Sequence, residues 1–147
     1  ACAGSGSRLA VQAKSKHTLL MLTRERVLDR PKVKVSSRAG GGSHQLQVIL
    51  EQELVPARRG WQAKVERWDM EINTPTPLAP GLYSAINGYA RNNATIRFTA
   101  NHSSCSATAA RMVVHELAPD HSAGLVTFEV QCGGDQVVLS GCARFAP

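Results

Sequence analysis

The residues of this chain that could do chemistry are four cysteines, five histidines and eleven carboxylates, and their spacing limits what they can do. No histidine pair forms HExxH. His115-Glu116 lacks a second histidine four positions on, so the two-ligand helix face of a zinc peptidase is missing. His115, His121 and Asp120 could meet around a metal, but their spacing is not diagnostic of a metal site, and they read as loop and strand-surface side chains. There is no Gly-x-Ser-x-Gly nucleophile elbow. Gly40-Gly41-Gly42 runs into Ser43-His44-Gln45 without the lysine of a phosphate loop. Glu116, Asp120 and Glu129 would have to pair as acid and base in a glycosidase. Nothing in the sequence brings them together, and Glu129 falls on the outer side of its strand. The sequence therefore assigns no catalytic, cofactor-binding or metal-ligating residue, and the expectation is a protein that is not an enzyme.

The cysteines carry more information. None lies in a CxxC or Cys/His zinc spacing, and an even number favours two disulfides over a metal site or redox motif. Four cysteines allow three connectivities. The preferred one joins Cys105 to Cys132 and Cys2 to Cys142, tying a loop to a core strand and the N-terminal tail to the last strand. The competing reading keeps some of them as buried free thiols that pack as small hydrophobes. Disulfides place the chain in an oxidising compartment, so it is expected to be exported: periplasmic, outer-membrane-associated or extracellular. The small residues of Ala1-Cys2-Ala3-Gly4-Ser5-Gly6-Ser7 are expected to begin a processed chain, with residues 1–7 a flexible N-terminal segment. The same stretch resembles the point at which bacterial lipoproteins are cut and acylated, which would make Cys2 a lipidation site. Ala1 ahead of the cysteine and the even cysteine count favour the disulfide instead. The longest apolar run, Leu19-Leu20-Met21-Leu22, is far too short to span a bilayer.

Charge is unevenly distributed. Residues 1–40 hold Arg8, Lys14, Lys16, Arg24, Arg26, Arg30, Lys32, Lys34 and Arg38 against Glu25 and Asp29, a net of +7, so the remainder of a chain of net +6 carries −1. Gathered on one face, Arg8, Lys14, Lys16, Arg24, Arg26, Lys32, Lys34 and Arg38 would form a patch for an anionic glycan, a lipid surface or an acidic protein. The favoured reading is the simpler one. In Pro31-Lys32-Val33-Lys34-Val35-Ser36 the cations alternate with valines, as on the solvated face of a strand that discourages edge-to-edge association. Nucleic acid is not an expected partner, because Phe98, Phe128 and Phe145 are committed to the core and too few aromatics remain to stack bases. Trp61, Trp68, Tyr83 and Tyr89 are the residues left for a sugar-stacking surface, against the commoner use of Trp as a core or interface anchor. Asn93 and Asn101 stand in glycosylation sequons.

Alternation of apolar and polar residues is the dominant pattern along the chain, and it predicts strands. Leu9, Val11 and Ala13 line one side of residues 8–13. Val33 and Val35 mark a second strand, and Leu46, Val48 and Leu50 point inward from residues 45–54. Residues 17–28 fit either a buried strand or a short helix. Residues 36–43 read as a flexible loop or wide hairpin tip around the glycines. Residues 61–72 show two phases, Trp61/Ala63/Val65 and Trp68/Met70/Ile72, which predicts two strand halves joined by a bulge. Residues 73–80 are a proline-rich connection between the two halves of one fold. Beyond it come a strand over 82–86, an Asn87-Gly88 turn, a strand with Ile96 and Phe98 inward, and another marked by Met112, Val114 and Leu117. The terminal hairpin is the clearest element. Val126, Phe128, Val130 and Cys132 face one way, Thr127, Glu129 and Gln131 the other, and Gly133-Gly134-Asp135 supplies the turn.

The second half also resembles bacterial extracytoplasmic β-sandwich domains over about residues 80–146. The motifs that carry it are Pro80-Gly81-Leu82-Tyr83, the loop cysteine Cys105, the Phe128-Glu129-x-x-Cys132 strand and the Leu139-x-Gly141-x-x-Arg144-Phe145 strand. The resemblance implies a Cys105–Cys132 bridge and no catalytic residues; Cys142 is an addition to the pattern. At 147 residues the chain is expected to form a single all-β domain, 1–147: an antiparallel two-sheet sandwich, immunoglobulin-like or jelly-roll-like, with about eight to ten strands and little helix. The expected function is a binding or structural module, an accessory subunit joined to a protein partner in a cell-envelope or extracellular assembly. The edge of residues 45–54 would be open to strand addition. A soluble binder of acidic glycan or lipid, and a small secreted inhibitor or hydrolase, are the alternatives.

Overall fold

Most of the described residues in which apolar and polar side chains alternate are extended and paired. The computed structural model describes residues 2–15, 25–86, 89–91, 94–100, 103–105, 107–132 and 137–147. Among these, twelve strands pair antiparallel in two sheets. The seven-stranded sheet runs in the order β2 (Glu25–Asp29), β1 (Arg8–Ser15), β12 (Val137–Phe145), β11 (Gly124–Cys132), β10 (Ala107–Leu117), β6 (Gly81–Ile86) and β7 (Tyr89–Arg91). The five-stranded sheet is ordered β3 (Lys32–Gly40), β4 (Ser43–Val55), β5 (Lys64–Thr74), β8 (Thr95–Ala100) and β9 (Ser103–Cys105). The two three-residue strands, β7 and β9, carry the count past the expected ten.

The core is the layer between the sheets. Leu9, Val11, Leu28, Val126, Phe128, Val130, Met112, Val114 and Phe145 line it from one side. Leu46, Val48, Leu50, Trp68, Met70, Ile72, Ile96 and Phe98 line it from the other, where the period of two puts them. The rings of Phe98 and Phe128 meet at 4.6 Å between centroids with a 42° tilt, a direct inter-sheet contact. Residues 75–80 carry the chain from β5 in one sheet to β6 in the other. Leu78 is buried beneath this crossing. The Tyr83 hydroxyl donates to the Ala79 carbonyl at 2.8 Å and accepts from the Ala79 N–H at 3.0 Å. A tyrosine tied back to the backbone a few residues upstream is the corner device of Greek-key sandwiches.

Both preferred disulfides are formed. Cys105 on β9 and Cys132 on β11 bridge the two sheets with Cα atoms 5.1 Å apart. Cys2 and Cys142 are bridged at 6.0 Å. They bury each other with Ala10 and Leu125 on the outer face of the seven-stranded sheet. Residues 2–7 have no regular structure but are tied at both ends. Arg144 Nε donates to the Cys2 carbonyl at 3.0 Å, and Ser7 Oγ donates to the Ala146 carbonyl while accepting its N–H, both at 3.0 Å.

Three elements differ from the sequence reading. Residues 36–40 are not loop: β3 pairs with β4 through Gly40 and Ser43, leaving Gly41 and Gly42 as a two-residue tip. Both tip glycines have positive φ, 60° and 75°, which the I′ turn of a tight hairpin requires. The bulge falls on β4, between Glu53 and Val55, rather than between two halves of residues 61–72. Trp61 lies outside β5, and Glu66 takes the inward position ahead of Trp68. Finally, β4 is no edge: β3 covers residues 43–51 on one side and β5 pairs along the other, so the long outer strand is β3. The Asn87-Gly88 and Gly133-Gly134-Asp135 turns, and residues 17–24 of the ambiguous segment, lie outside the described residues.

Candidate functional site

The sandwich does not gather the expected basic residues on one face. Arg8 and Lys14 lie on β1 of the seven-stranded sheet, while Lys32, Lys34 and Arg38 lie on β3 of the other. Arg8 is half-buried, and its Nε is a buried donor without a hydrogen-bond partner. Lys16 and Arg24 lie outside the described residues. Lys14, Lys32, Lys34 and Arg38 are exposed.

Arg26 points into the sandwich. β2 places it opposite Val11, an inward position, and its guanidinium grips the Glu66 carboxylate with Nε on Oε1 at 2.9 Å and Nη2 on Oε2. Trp68 Nε1 donates to the same Oε1 at 3.0 Å. Glu66 is buried, and the three donors satisfy the carboxylate in a bidentate fork. Glu66→Ala is expected to lower stability by about 2–3 kcal/mol in urea unfolding. That is below the roughly 3–5 kcal/mol of a fully buried pair, because about a third of the Arg26 side chain stays solvated.

The histidines and carboxylates sit apart. His115 Nε2 shares a hydrogen bond of 2.8 Å with Thr127 Oγ1, and His121 Nδ1 one of 2.9 Å with Ser37 Oγ. Glu116 pairs with Arg144 at 3.4 Å. Glu129 is exposed on β11. Asp120 accepts from Ser122 Oγ at 2.6 Å and from its N–H at 3.1 Å, and these bonds hold its carboxyl below the usual aspartate range. The small stabilisation this gives the turn is present above the unfolded-state value and is lost as pH falls through the folded one. Among the described residues no three His, Cys, Asp or Glu side chains converge as a metal site; His102 lies outside them. Trp68 is buried and Tyr83 half-buried at its corner, so they do not form a stacking platform with exposed Trp61, and Tyr89 belongs to β7. Asn93 and Asn101 lie outside the described residues.

What the fold presents instead is an open edge. β3 is nine residues long and, among the described residues, pairs only with β4. The other terminal strands are shorter, five residues in β2 and three in β7 and β9. Lys32, Lys34 and Arg38 stand exposed along β3, and Val33 and Val35 alternate with the lysines, half-buried at the margin of the core. The chain matches no family model, no curated protein and no solved structure. The chemistry of its surfaces therefore carries the functional argument, and the open edge is β3 rather than residues 45–54, where the sequence reading placed it. The signal was present in Lys32-Val33-Lys34-Val35, whose cations mark an edge strand. Residues 36–40, read as loop, hid its length.

Proposed function

We propose that this chain is an exported, non-catalytic binding module, an accessory subunit of a cell-envelope or extracellular assembly, joined to a protein partner along β3. The open edge of β3 is the observation that carries this reading. An unpaired row of backbone N–H and C=O groups accepts an added strand, with main-chain bonds for affinity and side chains for specificity. Lys32, Lys34 and Arg38 resist indiscriminate pairing and favour a strand with acidic residues opposite them, while apolar residues of that strand would extend the core over Val33 and Val35. The two disulfides support an oxidising compartment. So does the resemblance of residues 80–146 to extracytoplasmic sandwich domains.

The triple variant Lys32→Glu, Lys34→Glu and Arg38→Glu tests it. These side chains are exposed, so the thermal midpoint is expected to stay within a few degrees of the parent. The variant should migrate as a monomer where the parent migrates in its native assembly. An assembly that survives charge reversal would place the contact elsewhere.

A further inference from the structure

A second surface lies at the other end of β4. β3 pairs with β4 only as far as Glu51, and β8 pairs with β5 only as far as Trp68. Beyond Glu66, which Arg26 still holds, the segment from Glu53 to Val65 therefore projects as a two-stranded hairpin, about 10 Å past its neighbours at the spacing of extended residues. Its tip is built. Arg58 N–H donates to the Trp61 carbonyl at 3.1 Å, and Trp61 N–H donates to the Arg58 carbonyl at 2.8 Å. Gly60 between them takes φ +81°, the positive value such a turn demands at its second central residue. This ordered turn holds Trp61 at 78% exposure, with Leu54, Val55 and Val65 also exposed beside it. Arg58, Arg59 and Lys64 are exposed around them. Four of the six large hydrophobic residues exposed among the described ones belong to this hairpin.

From these residues we infer that the β4–β5 hairpin is a membrane-surface anchor, inserting Trp61 and its aliphatic neighbours into the interface of an anionic lipid bilayer. The amphipathic indole is suited to the headgroup boundary. Three cations against Glu53 give the tip a net charge of +2, complementary to anionic headgroups. A projecting tip with one aromatic and three aliphatic residues suits the shallow depth that interfacial insertion needs. The anchor is separate from the β3 edge, whose pairing with β4 ends at Lys32 and Glu51, short of the tip.

Co-sedimentation of the disulfide-bonded chain with vesicles tests the inference. The chain should bind vesicles containing phosphatidylglycerol and ignore vesicles of phosphatidylcholine alone, and binding should weaken as salt rises. Trp61→Ala should weaken binding about tenfold, from the apolar surface withdrawn. Replacing Arg58, Arg59 and Lys64 by Gln should weaken it roughly a hundredfold, at roughly fivefold for each cation. Circular dichroism should match the parent, since every substituted side chain is exposed. No binding of the parent to either vesicle would overturn the inference. So would binding that Trp61→Ala and the triple Gln variant leave unchanged, or loss of a protein partner in Trp61→Ala without any vesicle binding by the parent.

Discussion

Replacing Cys2 and Cys142 together by alanine is expected to lower stability by about 5 kcal/mol, read from the guanidinium unfolding midpoint. The bridge closes a loop across a sequence separation of 140, nearly the whole chain. In the chain-entropy account the cost of opening a cross-link grows with the logarithm of the loop. The Cys105–Cys132 bridge spans 27 residues, and the same account gives about 3.5 kcal/mol for its double alanine variant. The order of the two effects is therefore set by topology. Local contacts reinforce it, because Cys2, Ala10, Cys142 and Leu125 pack together, and Arg144 holds the Cys2 carbonyl. Without the bridge, the Arg144 bond to the carbonyl of residue 2 and the Ser7 bonds are the ties that remain, and residues 2–6 become the first site of proteolytic nicking. A larger loss from the Cys105/Cys132 variant would mean that native-state packing at the inter-sheet corner outweighs loop entropy.

Gly141→Ala is the second large effect. Gly141 lies on β12 opposite Val11 of β1, and a methyl group added there would stand 1.9 Å from the Ala10 carbonyl oxygen and 3.0 Å from the Val11 Cα. The requirement is space rather than backbone conformation, since this glycine does not take positive φ. Backbone cannot rotate aside as a side chain can, so β1 must separate from β12 in the middle of an eight-residue pairing. A loss of about 3 kcal/mol or more is expected, at the upper end of what overpacking costs. Gly124→Ala is the control. Its methyl would meet the Phe145 ring at 2.7 Å and the Glu116 backbone carbonyl at 2.8 Å, a much milder overlap than 1.9 Å, so a smaller loss is expected. Thermal unfolding of the two variants side by side checks the ranking; equal midpoints would contradict the backbone argument.

Much of this fold is legible in the sequence because a half-buried strand records its burial every second residue. Leu46, Val48 and Leu50 on β4, and Val126, Phe128 and Val130 on β11, are buried as their alternation predicts. The even cysteine count predicts two disulfides, and the preferred pairing of the three possible ones is formed. The misreadings share one cause: burial is decided by strands far away in sequence. Trp61 looks like core because it is aromatic and in phase with Val65, yet β3 and β8 stop short of it and leave it in water. Glu66 is a carboxylate in an inward position, and nothing near it in the sequence announces Arg26, forty residues earlier, which comes to meet it. The glycine of Leu139-x-Gly141 is visible as a motif, while its reason, the approach of β1, is visible only in three dimensions.

Hydrogen exchange along β3 tests the central claim most directly. In the isolated chain, the β3 amides that face away from β4 should exchange quickly while those bonded to β4 are protected. In the native assembly the account predicts new protection of those outward amides, alternating along residues 32–40. Unchanged exchange in β3 within a native assembly would contradict it.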